Sequence, residues 1–229
     1  MAGLQTIIDY SNGLQIDRRK VVGIQYTRNE IPRVSQTPTK NPWKFTIQMP
    51  TNFRYNEARA LLEEIDTLDR ITPQVITFSN RPEFSWMFAY QGTMSQTAIN
   101  TVRVQSFVGN QLTLTNLPVI PSSRVLFAKN DLIQIGNHTF PFTSTTQVTR
   151  GTGATVVVTT SRPNIITGSV VNDGITVGNA CEFYMFCPNM PTYKLFVGGQ
   201  QNSSNGSLIN NALIEWSEAF EFYEFVGTA

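Results

Sequence analysis

The sequence predicts a mainly β protein, a β-sandwich with one packed α-helix, plus an inserted small β-barrel or sandwich domain. Three observations support this fold class. Apolar and polar residues alternate from Trp43 to Met49, and one stretch after Tyr55 has helical apolar spacing. Many short apolar runs separated by turn residues follow Thr101, which is typical of barrels and sandwiches.

The first strand is predicted over 43–49, where Trp43, Phe45, Ile47 and Met49 alternate with polar side chains. This period of two is expected of a strand with one buried face. A returning strand is predicted over 74–79, so the strands and the intervening helix form one compact unit.

The helix is predicted over 56–70. Its apolar stripe consists of Ala58, Leu61, Leu62, Ile65 and Leu68. Asn56 is the expected N-cap, Glu57 suits the first turn, Arg70 closes the helix and Pro73 bars its continuation. Because no second helix is predicted, the stripe is expected to pack on the sheet.

The flanking segments are expected to be strands and loops. Strands are predicted near Leu14 and Ile16 and over 22–26, and 31–42 reads as an extended loop. A further strand is predicted over 84–90, with Phe84, Trp86 and Phe88 on one side. Residues 198–207 have the composition of a flexible loop. The last strand is predicted over 213–226, where Ile214, Trp216, Phe220 and Phe222 would share a face and complete the sheet begun at 43–49; a helix is the alternative there.

These assignments give three chain segments. Residues 1–92 form the N-terminal part of a sandwich and helix domain, 93–197 form the inserted barrel-like domain, and 198–229 complete the first domain.

Charge is sparse and uneven. Charged residues make up 14% of the 229 residues, against about a quarter in typical domains, and the net charge is +1. Nothing therefore indicates a nucleic-acid partner. Residues 198–229 carry four glutamates and no basic residue, whereas 93–197 carry six basic and three acidic residues. No export signal or membrane span is visible in the sequence.

Residues and motifs that could support catalysis are scarce. His138 is the single histidine, Cys181 and Cys187 are predicted to be buried free thiols, and Asp131 and Asp173 have no carboxylate near them in sequence. No phosphate-binding loop or zinc spacing occurs. The aromatic residues Phe84, Trp86, Phe88, Phe220 and Phe222 are expected in the core rather than on a stacking platform. The chain is therefore predicted not to be an enzyme and to need no metal or cofactor.

Three short motifs resemble a known family. They are the strand with Trp43 and Phe45 followed by the helix over 59–68, Asn130-Asp-Leu-Ile-Gln-Ile-Gly136 with 153–158 after it, and Met190-Pro-Thr-Tyr-Lys-Leu195 leading to a strand with Trp216 and Glu224. Together they resemble the distal tail or baseplate hub proteins of tailed bacteriophages. Asn130 stands where that family usually has glycine.

The resemblance implies a structural virion protein without a cofactor. It would form a ring, six-fold in this family, that joins the tail tube to the baseplate hub or fibres, after assembly in the host cytoplasm. No contact with nucleic acid would be required, and no membrane would be a partner. Glu215, Glu218 and Glu221 are the hypothesised subunit-contact residues. The alternatives are a carbohydrate-binding module centred on 93–197, a tail-tube or tube-initiator subunit, and an enzyme acting on cell wall or sugar, which the missing catalytic constellation disfavours.

Overall fold

The computed structural model describes residues 3–18, 22–26, 32–36, 42–51, 53–68, 72–196 and 212–226. The protein is mainly β, as predicted. The chain forms two compact units. Unit 1 comprises 1–17, 43–76 and 184–225, and unit 2 comprises 18–42, 77–183 and 226–229.

The regular elements are short. The helices are α1 (Gly3–Tyr10), α2 (Tyr55–Asp66), α3 (Pro82–Phe88) and α4 (Gln96–Ile99), with a 3-10 turn at Gly178–Ala180. The strands before the second unit's barrel are β1 (Gly13–Asp17), β2 (Val22–Tyr26), β3 (Pro32–Gln36), β4 (Lys44–Gln48), β5 (Phe53–Arg54) and β6 (Gln74–Thr77). The remaining strands are β7 (Arg103–Val108), β8 (Gln111–Thr115), β9 (Val125–Phe127), β10 (Leu132–Ile135), β11 (Phe142–Thr143), β12 (Val148–Thr149), β13 (Val156–Thr159), β14 (Ile175–Val177), β15 (Glu182–Phe186), β16 (Tyr193–Phe196), β17 (Leu213–Trp216) and β18 (Phe220–Glu224).

The main sheet of unit 1 has the order β1-β4-β18-β15-β6. β4 pairs antiparallel with β1 on one side and with β18 on the other, where Phe45 lies opposite Phe222 and Ile47 opposite Phe220. All four of these side chains are fully buried. The predicted return of the last aromatic strand to the 43–49 strand is therefore confirmed.

A second sheet of unit 1, with the order β16-β17-β5, receives the helix. Ala58 and Leu62 of α2 form a buried cluster with Ile214 of β17. The predicted packing of the helix on a sheet is confirmed. The prediction that no second helix exists is wrong, because α1 packs against α2 and buries Leu4, Ile7 and Ile8.

The predicted helix limits also need correction. The helix begins at Tyr55, with Arg54 at the N-cap position and no side-chain capping bond, so Asn56 lies inside it. It ends at Asp66, where the Thr67 backbone N–H bonds to the Glu63 carbonyl. Arg70, the predicted last residue, lies outside the described residues.

The predicted single strand over 213–226 is two strands in two sheets. β17 pairs with β16 and β5, whereas β18 pairs with β4 and β15. Residues 217–219 interrupt the strand, and the Ser217 N–H bonds to the Thr192 carbonyl, one residue beyond the pairing of β17 with β16. Consecutive strands that enter different sheets are typical of a sandwich.

Unit 2 contains two three-stranded sheets in a barrel-like arrangement. Antiparallel pairing gives β7-β8-β13 and β11-β10-β14, and two bridges, Ser144 to Thr160 and Arg103 to Gly174, join these sheets at both edges. A continuous apolar core fills the unit, with Val104, Leu114, Leu126, Phe127, Ile133, Ile135, Phe142 and Val158 all fully buried. The predicted inserted β-domain is thus barrel-like.

The limits of unit 2 differ from the predicted 93–197, because its longest segment runs from Thr77 to Phe183 and the unit also includes 18–42 and 226–229. Phe78 stacks on Phe88 with ring centroids 4.9 Å apart, and Phe183 packs on both. The predicted strand over 84–90 is wrong, since Pro82–Phe88 is a helix. The predicted loop over 31–42 contains β3, which pairs with β2.

Candidate subunit-contact site

The two described glutamates of the C-terminal segment that face solvent lie in one groove of unit 1. This acidic groove has a volume of about 270 Å³ and is lined by Gln48, Met49, Pro50, Thr51, Glu215, Trp216, Glu218 and Ala219. The end of β4 forms one wall, and the turn between β17 and β18 forms the other. About half of the lining residues are apolar, so the groove suits a group with both charge and apolar surface.

Aromatic packing fixes the wall of the acidic groove. The Trp216 ring lies between Tyr193, at a centroid distance of 5.4 Å, and Phe220, at 4.9 Å. Its indole Nε1 is buried and has no hydrogen-bond acceptor among the described residues. A buried donor without an acceptor is costly, typically by about 1–3 kcal/mol, and is uncommon in native proteins.

Glu215 and Glu218 keep their charges exposed to solvent. Glu215 precedes Trp216, the last residue of β17, and lies opposite Lys194 of β16. The side chains of Glu215 and Lys194 form no ion pair. Glu218 lies in the turn. Within the part of the chain that the structure describes, neither carboxylate has an ion-pair partner within 4.0 Å. The two charges therefore remain free to attract a cationic partner.

Glu221, the third hypothesised contact residue, lies outside the acidic groove and is paired within the chain. Its Oε1 accepts a hydrogen bond from Lys44 Nζ at 2.7 Å, and its Oε2 accepts one from the Tyr223 hydroxyl at 2.6 Å. The bond from Lys44 lowers the pKa of Glu221, and the same bond raises the pKa of Lys44. The structure thus separates Glu221 from Glu215 and Glu218.

We expect Glu221→Gln to lower the free energy of unfolding at neutral pH by at most about 1 kcal/mol, because both partners are about a third exposed. Since the folded-state pKa of Glu221 is lowered, its contribution is present above the ordinary value of 4.5 and is lost as the pH falls through the folded-state value. Urea unfolding of wild type and variant at about pH 7 and about pH 3 measures this. A stability difference that persists at the acidic pH would contradict it.

The histidine and the two cysteines named in the sequence analysis lie outside the acidic groove. His138 Nε2 lies 3.8 Å from Asp173 Oδ2 at the half-exposed surface of unit 2. Cys181 and Cys187 are free and buried, as predicted, and burial raises the pKa of the Cys181 thiol strongly. No group of three or more potential ligands is arranged for a metal within the described ranges.

Asp131 is a buried polar residue whose hydrogen bonds the sequence analysis did not predict. Its carboxylate accepts the backbone N–H of Gln91 at 2.9 Å and that of Ala128 at 2.8 Å, and the Gly92 N–H bonds to it as well. Burial raises its pKa despite these bonds. The only signal in the sequence is its position after Asn130, a residue type that is common in turns. In the structure Asn130 has a φ of +72°. These bonds join Gln91 and Gly92 to Ala128 through one carboxylate.

The predicted burial of the aromatic residues is correct for four of the five. Phe84, Phe88, Phe220 and Phe222 are buried, but Trp86 is 70% exposed. It lies on α3, where a period of 3.6 turns it away from Phe84 and Phe88.

No protein-family model matches the chain, and no curated protein matches it. No helix among the described residues is long and apolar enough to cross a membrane.

Proposed function

We propose that this protein is a structural subunit of a phage tail that forms a ring at the distal end and joins the tail tube to the baseplate hub or fibres. The observation that carries the proposal is the arrangement of unit 1. Its sheets draw strands from three chain segments, and a barrel-like β-domain is inserted between the second and the third. This is the architecture that the motif resemblance implies.

The surface of unit 1 suits association. β16 is an edge strand of its sheet among the described strands, and its Leu195 and Phe196 are 49% and 61% exposed. An open strand edge with exposed apolar residues is a common contact surface between chains. β16 also pairs with β17, which carries Glu215 toward the acidic groove. A ring requires such surfaces to meet different surfaces on the next copy.

The remaining features of the proposal follow from the same resemblance. The ring would be six-fold, its partners would be tail-tube and baseplate proteins, and assembly in the host cytoplasm would place it in the virion. It would act without a cofactor and without contacting nucleic acid or membrane.

Negative-stain microscopy and sedimentation velocity of the full chain at low and high concentration test this proposal. Closed rings of one layer are the expected result. Long tubes would replace it with a tube subunit. A chain that stays monomeric with tail-tube and hub proteins present, and that binds saccharides through the region 93–197, would replace it with a carbohydrate-binding module.

A further inference from the structure

The two units carry opposite net charges, which the nearly neutral whole chain conceals. Unit 1 has five basic and eleven acidic residues, a net charge of −6, whereas unit 2 has twelve basic and five acidic residues, a net charge of +7. Copies of such a chain attract each other when the acidic unit of one approaches the basic unit of another. Contacts of this kind are head to tail, which is the geometry of a ring.

The acidic groove is the place in unit 1 where unpaired carboxylates adjoin apolar surface. Glu215 and Glu218 lie beside Met49, Pro50 and Trp216. A guanidinium is the best match for carboxylates in such a site, because its planar donors can bind two oxygen atoms at once and it is weakly hydrated.

Most basic side chains of unit 2 that the structure describes are already engaged. Arg18 bonds to Asn130 and Thr143, Arg81 to Glu83, and Arg103, Arg150 and Arg162 to backbone carbonyls. Among the basic residues of unit 2 whose side chains the structure describes, Arg124 and Lys129 are the exposed ones that make no side-chain hydrogen bond or ion pair. They flank β9, one at each end.

Of these two residues, Arg124 has the surroundings that better suit binding to the acidic groove. Its carbonyl accepts the Arg150 N–H at 2.9 Å, and Arg150 Nε donates to the Pro118 carbonyl at 2.9 Å. Arg150 therefore ties Arg124 to the loop that carries Val119, whose side chain is fully exposed. The unpaired guanidinium of Arg124 and the exposed side chain of Val119 therefore complement the acidic groove, which offers unpaired carboxylates and an apolar wall.

We propose that Arg124 of one copy binds Glu215 and Glu218 in the acidic groove of a second copy. The inference rests on the proposed function, since it specifies the contact between neighbours in the ring. Unit 2 of each copy then docks on unit 1 of the next.

A charge-swap experiment on the full chain tests the contact. Arg124→Glu alone and Glu218→Arg alone should each weaken self-association by at least about tenfold, because each places like charges together. Mixing the two variants should restore association, since each then offers the charge that the other lacks. The double variant in one chain should also associate. Raising the salt from about 0.1 M to about 1 M, which shortens the Debye length from about 10 Å to about 3 Å, should weaken the wild type.

Lys129→Glu is the matched control, because it makes the same charge change at the other end of β9. It should associate like the wild type, and thermal unfolding should show that all variants fold. Equal weakening by Lys129→Glu, or no recovery on mixing, would overturn the contact while leaving a ring-forming wild type and the proposed function intact. A wild-type chain that does not associate with itself at any salt concentration would overturn the contact as well.

Discussion

Replacing Phe222 with alanine is expected to lower the free energy of unfolding by about 3–5 kcal/mol. Phe222 is fully buried on β18, near the middle of the main sheet of unit 1. It lies opposite Phe45, which is also fully buried. Truncation removes the ring from the core and leaves a cavity that neighbours on two paired strands can fill only in part.

Urea unfolding at neutral pH measures the loss, with Tyr223→Phe as the control on the same strand. Tyr223 is half-buried on the opposite face, and this change removes only the hydroxyl that donates to Glu221. It should cost about 1 kcal/mol or less. A loss below about 1.5 kcal/mol for Phe222→Ala would contradict the tight packing between β18 and β4.

Local patterns predicted most of the strands correctly. Along β4 the buried Phe45 and Ile47 alternate with half-buried and exposed polar residues, as the period of two requires. Turn residues separate the short apolar runs after Thr101 in the sequence, and four of them, Gly109, Gly136, Gly151 and Asn172, have positive φ in the structure. These features are local, so the sequence alone carries them.

The helices at the two ends of the first 92 residues were harder to predict. In 84–90, Phe84 and Phe88 fit a period of four as well as a period of two, and the exposed Trp86 decides for the helix. Leu4, Ile7 and Ile8 have helical spacing, but eight residues are too few for the pattern to stand alone. Contact with α2 supplies the stability that the short segment lacks.

The candidate site could be predicted only in part. Glu215, Glu218 and Glu221 have a spacing of three, which indicated a common surface. Because the strand is interrupted after Trp216, Glu215 and Glu218 lie in one groove, whereas Glu221 forms an ion pair with Lys44. Lys44 is 177 residues away in sequence, so no local pattern indicates that pair. Nor could the charge separation of the units be seen before their limits were known, because unit 2 includes 18–42.

Asp131→Ala is expected to destabilise unit 2 by about 2–4 kcal/mol. The substitution removes the acceptor for the backbone N–H groups of Gln91, Gly92 and Ala128. Asp131 is 3% exposed, so water replaces these bonds poorly. The carboxylate joins the segment before α4 to the turn after β9, and the effect should therefore extend to both. Asp173→Asn, at the half-exposed surface of the same unit, is the control and should cost less than about 1 kcal/mol.

The ionisation of Asp131 gives this prediction a second readout, in the comparison of wild type with Asp131→Asn. Burial raises the folded-state pKa of Asp131 above its ordinary value of 3.8. The protonated acid is therefore favoured on folding, and its contribution is fully present below that ordinary value and lost as the pH rises through the folded-state value. Wild type should gain stability relative to Asp131→Asn as the pH falls from neutral toward 3.8. Chemical unfolding across this range measures the difference, and a loss at acidic pH would mean that the three N–H bonds outweigh the burial of the charge.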